Sequence, residues 1–314
     1  MIATVLCGAT ATGKSALALR LARANGFEII SADSRQIYRG FSIGTNAPSE
    51  AELVVPHHLI GFLDPAQVFS PRAYPGHVHA LLAANPATRF LVVGGTGLYL
   101  KELLYPSAFD RGPTPEAVKM EVQEKFRTLG LPHMHAELLR LDPEGSQGLH
   151  PNDAYRITKR WENLLITGES YTLLSGLPLL DPRFQNVPVL NLEIEREELY
   201  TRIDKRVEEM LLAGWRDEVK RLITLPDWAK LPAFSSLGYS EIAGVISGTM
   251  ALPEAVRRIQ KQTRNYAKRQ LTFFRHQLPS ATTWGVPLLE ATLDACDWRW
   301  EAFLERHPTA PKSL

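Results

Sequence analysis

Cysteine is scarce in this chain of 314 residues: only Cys7 and Cys296 are present. Far apart in sequence, they offer neither a zinc-ligand spacing nor a disulfide framework. The expectation is two free thiols in a reducing compartment. Long apolar runs are missing as well. None approaches the roughly 20 residues that a membrane-spanning helix needs. The apolar start lacks the basic residues of a secretory leader, so a cytoplasmic protein with no membrane partner is expected. Nor is there an excess of charge of one sign, since 35 Lys and Arg stand against 34 Asp and Glu, a formal net charge of +1. Any footprint for a polyanion has to be local. Internal repeats and low-complexity tracts are lacking too. What remains is an ordinary globular composition, 45% hydrophobic and 22% charged, long enough for one large domain or two modest ones.

The most informative stretch is GATATGKS at residues 8–15. It has the G-x-x-x-x-G-K-[ST] spacing of a loop whose backbone N–H groups cradle phosphate. The apolar run IATVLC (2–7) before it reads as a buried parallel strand. The segment Lys14 to Arg23 after it has Leu17 and Leu21 at helical spacing. In this context Gly8, Ala9, Thr10, Ala11, Thr12, Gly13, Lys14 and Ser15 form a phosphate site, with Lys14 as a point charge and Ser15 as the Mg²⁺ ligand. The identity of the phosphate compound stays open at this stage.

FEIISADS (27–34), FLVVGGTGLYL (90–100), whose strand part stops at a Gly-Gly turn, and VPVLNLEI (187–194) are further strand candidates. Strands alternating with helical stretches predict an α/β fold: a P-loop NTPase-like parallel sheet flanked by helices. Between Asp110 and Gln185 the texture turns helical, with Pro and Gly breaks. This predicts a mainly helical insertion domain over 110–185 within a core formed by 1–109 and 186–314. The helix after the fourth strand candidate ends at Gly214, a glycine stop signal. The tail beyond Gln277 yields no clear organisation.

A nucleotide hydrolase of this class needs a second carboxylate after a hydrophobic strand. FLVVGG ends instead in glycines and Thr96. The acid is Asp33, at the carboxyl end of FEIIS, where open α/β sheets place their ligands. It can accept a proton from a nucleophile, or it can be a turn or helix-capping aspartate. Arg35 and Arg39 nearby favour its ionised form. A kinase for a small molecule or nucleoside, another phosphate-handling transferase, and an RNA-binding protein with an idle loop all remain open at this point.

VRRIQKQTRNYAKRQLTFFRH (256–276) holds seven Lys or Arg and no acid. Arg257, Lys261, Arg264 and Lys268 share one helical face, and Val256, Ile259, Ala267, Leu271 and Phe274 can face a core. Such a stripe suits backbone phosphates of a nucleic acid. Arg196, Arg202 and Arg206 are lid-type candidates over the loop. His57 and His58, being adjacent, read as structural, and Trp298 and Trp300 as core.

In combination the motifs resemble the tRNA dimethylallyltransferases. GATATGKS is similar to that family's phosphate loop, with Ala9 in place of its usual Pro, and SADSRQIYRGFSIGTNAP (31–48) to its SADS-x-Q segment. HHLI (57–60), GGTGLY (94–99), HPNDAYRITKRWE (150–162), LGYSE (237–241) and TRNYAKRQLTFFR (263–275) follow in the family's order. The resemblance implies transfer of a dimethylallyl group from dimethylallyl diphosphate to N6 of the adenosine 3′ of the anticodon in tRNA. It implies Asp33, Thr10 and Lys14 as catalytic residues, the loop 8–15 as the diphosphate cradle, and Mg²⁺ on Ser15. It also implies tRNA contacts at Asp33, Ser34, Arg35, Gln36, Thr96, Tyr155, Arg156, Ile157, Thr158, Lys159, Ser236, Gly238 and Tyr239. The partner is then the anticodon stem-loop, gripped by the insertion domain. A monomer is expected, since no self-complementary apolar surface is readable.

Overall fold

The computed structural model describes residues 1–48, 53–106, 114–168, 170 and 179–308. The chain divides into two compact units, Met1–Leu104 with Pro182–Leu314, and Tyr105–Asp181. In the first unit, six described strands form one sheet: β1 (Ile2–Gly8), β2 (Glu28–Ser31), β3 (His57–His58), β4 (Phe90–Gly94), β5 (Val189–Glu193) and β6 (Ala281–Gly285). Their order is β3-β2-β4-β1-β5-β6, and every pairing is parallel. β1 is buried along its whole length. That is why it reads as a continuous apolar run rather than an alternating one: a parallel strand with both faces covered has no wet side. Cys7 pairs with Gly94 and Ser31 with Val93. The loops after β1, β2 and β4 therefore leave the sheet side by side at its carboxyl edge.

Helix α1 (Lys14–Asn25) follows the first of these loops and buries Leu17, Ala18, Leu21 and Ala22. Its start is set by Gly13, at φ 96°, a left-handed conformation that costs glycine little. α2 (Tyr74–Ala84) forms despite the Pro- and Gly-rich sequence there, because its proline falls in the first turn, where no backbone N–H is needed. α3 (Gly97–Leu104) follows β4. The strand candidates 27–34 and 90–100 are thus shorter than their apolar spans, ending at Ser31 and Gly94.

The second unit is helical: α4 (Glu116–Leu129), α5 (Leu131–Leu141) and α6 (Ala154–Thr167). Val122, Met134, Leu138, Leu149, Ile157 and Trp161 form its own core. The Trp161 indole donates to the Met134 carbonyl at 3.1 Å. Asp153 caps α6 by accepting from the Arg156 N–H at 3.0 Å.

Back in the first unit, α7 (Arg196–Leu212) and α8 (Trp215–Leu222) follow β5. Then come α9 (Tyr239–Ile246), the 26-residue α10 (Leu252–Gln277), α11 (Val286–Asp294) and α12 (Trp300–Arg306). The tail is ordered by packing onto α1. Asn25 donates to the Trp298 carbonyl and accepts from the Trp300 N–H, at 2.8 and 2.9 Å. Trp298, Trp300 and Phe303 join the cluster that holds Leu21 and Leu190. Both tryptophans are core residues, as their type suggests. His57 and His58 are tied to the Val55 carbonyl and the Glu28 carboxylate, at 2.7 and 2.6 Å.

Candidate active site

The loop 8–13 is folded on itself. The Ala9 carbonyl accepts from the Thr12 hydroxyl at 2.9 Å and from the Lys14 ammonium at 2.6 Å. Ala9 and Thr12 are fully buried, so the Thr12 hydroxyl serves the loop and not a ligand. Ala11 is held at φ 64°, a left-handed conformation costing a non-glycine residue roughly 1–2 kcal/mol, kept only because the surroundings fix it. Among the described residues no side chain caps the start of α1, and Ser15, in its first turn, is exposed. This is the open, partly positive helix end that attracts anions. Burial pushes the Lys14 ammonium down to about 8, with the Arg206 charge adding to the effect and Asp33 and Cys7 opposing it. Burial likewise pushes the Cys7 thiol up to about 12, which keeps it inert.

Asp33 follows β2. Its Oδ1 accepts from the backbone N–H of Arg35 at 2.8 Å and of Gln36 at 3.4 Å. The turn role that its sequence allows is real, and the same carboxylate lines the cleft. Thr96, after β4, accepts from the Ser34 N–H at 2.8 Å, and its own N–H donates to Ala32 at 3.1 Å. Thr96 therefore fixes the loop that carries Asp33. Arg35 reaches Ser235 at 2.6 Å, whereas Arg39 points to the Phe62 carbonyl at 3.4 Å.

Helices α7 and α10 supply the opposite wall. Arg206 Nη1 donates to the Thr10 hydroxyl at 3.2 Å. Burial lowers the Arg206 pKa, against the pull of Asp33. Gln270 accepts from the Thr10 N–H at 2.8 Å. Burial, with Asp33 second, pushes the Tyr266 hydroxyl up to about 12. Of the three lid candidates only Arg206 joins the loop's hydroxyl; Arg202 pairs with Glu198 at 2.5 Å and Arg196 with the Tyr200 hydroxyl at 3.1 Å. Gln270 and Tyr266 were not singled out from sequence. For Gln270 the signal was available: a polar residue at core spacing between Ala267 and Phe274.

These groups line one cleft of about 320 Å³. Thr10, Lys14, Ser15 and Arg206 form a cationic side, Asp33, Arg35 and Gln36 a polar side, and Ile203, Val207, Met210, Trp215, Leu237 and Ile259 an apolar wall. On α7 the apolar and cationic groups alternate by turns, with Arg206 at the loop and Met210 one turn, roughly 6 Å, further on. An anion with an apolar tail fits such a cleft, the head at the loop and the tail along α7.

The apolar end is braced by Glu218, which is 1% exposed. It accepts from the backbone N–H groups of Ser42, Ile43 and Gly44, at 2.7 to 3.1 Å, and from the hydroxyls of Ser42 and Tyr239, at 3.0 and 2.8 Å. Tyr239 is fully buried, and its hydroxyl pKa is raised by burial first and Glu218 second. Gly238 stands at φ 88° against the Trp215 ring. Ser236 is buried beside the cleft, its hydroxyl donating to the Ala233 carbonyl at 2.7 Å. In the helical unit Tyr155, Arg156 and Lys159 are exposed, Thr158 is half-buried and Ile157 is fully buried in the core. The side chains of Tyr239 and Ile157 lie inside core clusters. On α10, Arg257, Lys261 and Lys268 are exposed, but Arg264 is half-buried and ion-paired with Asp204, and Arg258 is paired with Glu254 at 2.6 Å.

A phosphate loop between a buried parallel strand and a helix, at the carboxyl edge of the sheet, defines an α/β protein of the P-loop class. Comparison with known proteins gives the family. The chain matches the family model described as IPP transferase over residues 36–277, and that described as isopentenyl transferase over 1–60. The tRNA dimethylallyltransferase of Rhodospirillum centenum is 42% identical over 279 residues, covering 87% of this chain and 88% of its own. That of Geobacter metallireducens is 38% identical over 278 residues, 86% and 88% of the two chains. The chain belongs to the tRNA dimethylallyltransferase family. Among solved structures, the full-length tRNA isopentenylpyrophosphate transferase from Bacillus halodurans aligns with a TM-score of 0.65 at 29% identity, over 98% of this chain and 99% of that one. A eukaryotic dimethylallyltransferase, solved acting on tRNA, shares the fold, with a TM-score of 0.74 at 24% identity over 87% and 69%.

Proposed function

We propose that this protein transfers a dimethylallyl group from dimethylallyl diphosphate to N6 of the adenosine 3′ of the anticodon in tRNA. The observation that carries the reading is a cleft in which the loop Lys14, the half-buried Arg206, the Asp33 carboxylate and an apolar wall meet. In the reaction the allylic C1–O bond breaks and its electron pair leaves with diphosphate, while N6 bonds to C1. The Lys14 and Arg206 cations and the N–H groups at the start of α1 stabilise the departing anion, the largest kind of term in such sites. Asp33 takes the proton released from N6, help worth about 10²–10⁴-fold in rate. Thr10, on the loop and bonded to Arg206, orients the amine or the diphosphate.

Among the described residues no group of three or more His, Cys, Asp or Glu side chains could hold a metal ion. Mg²⁺ would be held by the exposed Ser15 hydroxyl together with diphosphate oxygens and water, as this reluctantly dehydrated ion usually is. When bound it neutralises charge developing on the leaving group.

For the tRNA, the target adenine enters on the side of Asp33, Ser34, Arg35, Gln36 and Thr96, with Ser236 and the Gly238 backbone near the apolar end. Taking it from the stack costs a few kcal/mol, least in a loop. The exposed Arg257, Lys261 and Lys268 of α10 meet backbone phosphates, and the helical unit adds a grip through Tyr155, Arg156, Thr158 and Lys159. No described helix is long and apolar enough to cross a membrane, and we place the protein in the cytoplasm with its tRNA. The test is mass spectrometry of an unmodified anticodon stem-loop after incubation with protein, Mg²⁺ and dimethylallyl diphosphate. A gain of one C₅H₈ supports the reading. An unchanged RNA, with ATP consumed on a small acceptor, makes the protein a kinase.

A further inference from the structure

α10 turns Ala255, Ile259, Ala267 and Phe274 to the interior, and at one such position it carries an amide, Gln270. The residue is only 6% exposed. Both ends of its carboxamide are engaged: Oε1 accepts from the Thr10 N–H at 2.8 Å, and Nε2 donates to the Gly95 carbonyl at 2.7 Å. These two groups lie in the loops after the neighbouring strands β1 and β4. A β-carbon on Gly95 would stand 2.5 Å from Gln270 Nε2, so the glycine makes room for the contact. Thr10 is thereby fixed twice, by Gln270 at its backbone and by Arg206 at its hydroxyl.

We propose that Gln270 is a positioning residue for prenyl transfer, acting through Thr10; this rests on the functional reading above. An amide accepts at one end and donates at the other without charge, which at neutral pH an ionised carboxylate of the same size cannot do. A carboxylate in its place would set a lone pair against the Gly95 carbonyl, and a leucine would leave two polar groups without partners. Both polar ends of its side chain are engaged with protein backbone. Its effect is to hold the Thr10 hydroxyl at a fixed place on the diphosphate side of the cleft, where a displacement of about 1 Å costs on the order of 10²-fold in rate.

The test is a double-mutant cycle on kcat with Gln270→Glu and Thr10→Ala. At pH 8 the Gln270→Glu protein should lose roughly 10- to 100-fold in kcat, with its KM for dimethylallyl diphosphate within about threefold of wild type. Its rate relative to wild type should recover toward pH 6, where a protonated carboxyl again donates to Gly95. In the Thr10→Ala background the same change should cost less than about threefold. An equal loss in both backgrounds, or a relative rate flat with pH, overturns the proposal. If wild-type protein transfers no prenyl group, the functional reading falls. Amide hydrogen exchange then decides the positioning alone: Gln270→Leu should speed exchange at Thr10 by at least about tenfold, and unchanged exchange overturns it.

Discussion

Lys14 is the residue in which fold and chemistry conflict most. Its ammonium is drawn out of water beside a second cation, Arg206, and its pKa falls to about 8 from an ordinary 10.5. In the proposed reading an arriving diphosphate relieves both penalties, which would make this cation a binding device. The pH dependence of kcat/KM reports groups in the free enzyme. It should therefore fall as pH rises through about 8, when Lys14 loses its proton, and the inflection should vanish in Lys14→Met. The sign for folding is opposite. The unfolded chain binds more protons than the folded one between about 8 and 10.5, so the Lys14 contribution to stability rises with pH across that window. Glu218 is the other residue under strong constraint, one buried carboxylate for five donors. Gln at this position puts an N–H against other N–H or O–H groups. It should cost roughly 1–3 kcal/mol, read as a lowered midpoint in thermal or urea unfolding.

At the scale of the element, α10 does two jobs with two faces. Its inner face locks the phosphate loop through Gln270, while Arg257, Lys261 and Lys268 stand exposed on it. Each phosphate contact contributes roughly 0.7–0.9 to the slope of log affinity against log salt. Lys261→Ala and Lys268→Ala should each flatten that slope by about one for the anticodon stem-loop, with turnover at saturating RNA unchanged. Arg264→Ala should not, because Arg264 is already paired with Asp204. The elements themselves were unequally legible. β1 and the phosphate loop stand out because a strand covered on both faces must be apolar throughout and the loop's spacing is set by an anion. β6 was not visible in ATTWG: as an edge strand it is half-exposed and takes its shape from β5. β3 is two residues long and exists only beside β2.

At the scale of the molecule, the site was legible where chemistry restricts residue type and obscure where tertiary packing decides. Asp33 stood open between base and turn aspartate until the family resemblance was added, whereas Lys14 and Ser15 could be named from spacing alone. Glu218 could not, since WRDEVKRL reads as a solvated helix and only the approach of residues 42–44 explains the carboxylate. Ile157 and Tyr239 lie in segments that resemble contact motifs, while their side chains fill cores that sequence does not reveal. Arg206, one of three lid candidates in the sequence, is set apart from the other two by the course of α7 past Thr10. Lys14, Ser15, Asp33 and Arg206 line one cleft, and in the proposed reading that cleft brings leaving group, acceptor and base together.

That account is tested most directly by single-turnover transfer with the Asp33→Asn protein, alongside its affinity for the anticodon stem-loop. The account predicts a rate lower by about 10²–10⁴-fold with affinity within a few-fold of wild type, since the base is lost and the grip is not. A near-wild-type rate with intact binding would contradict it and remove Asp33 from the chemistry.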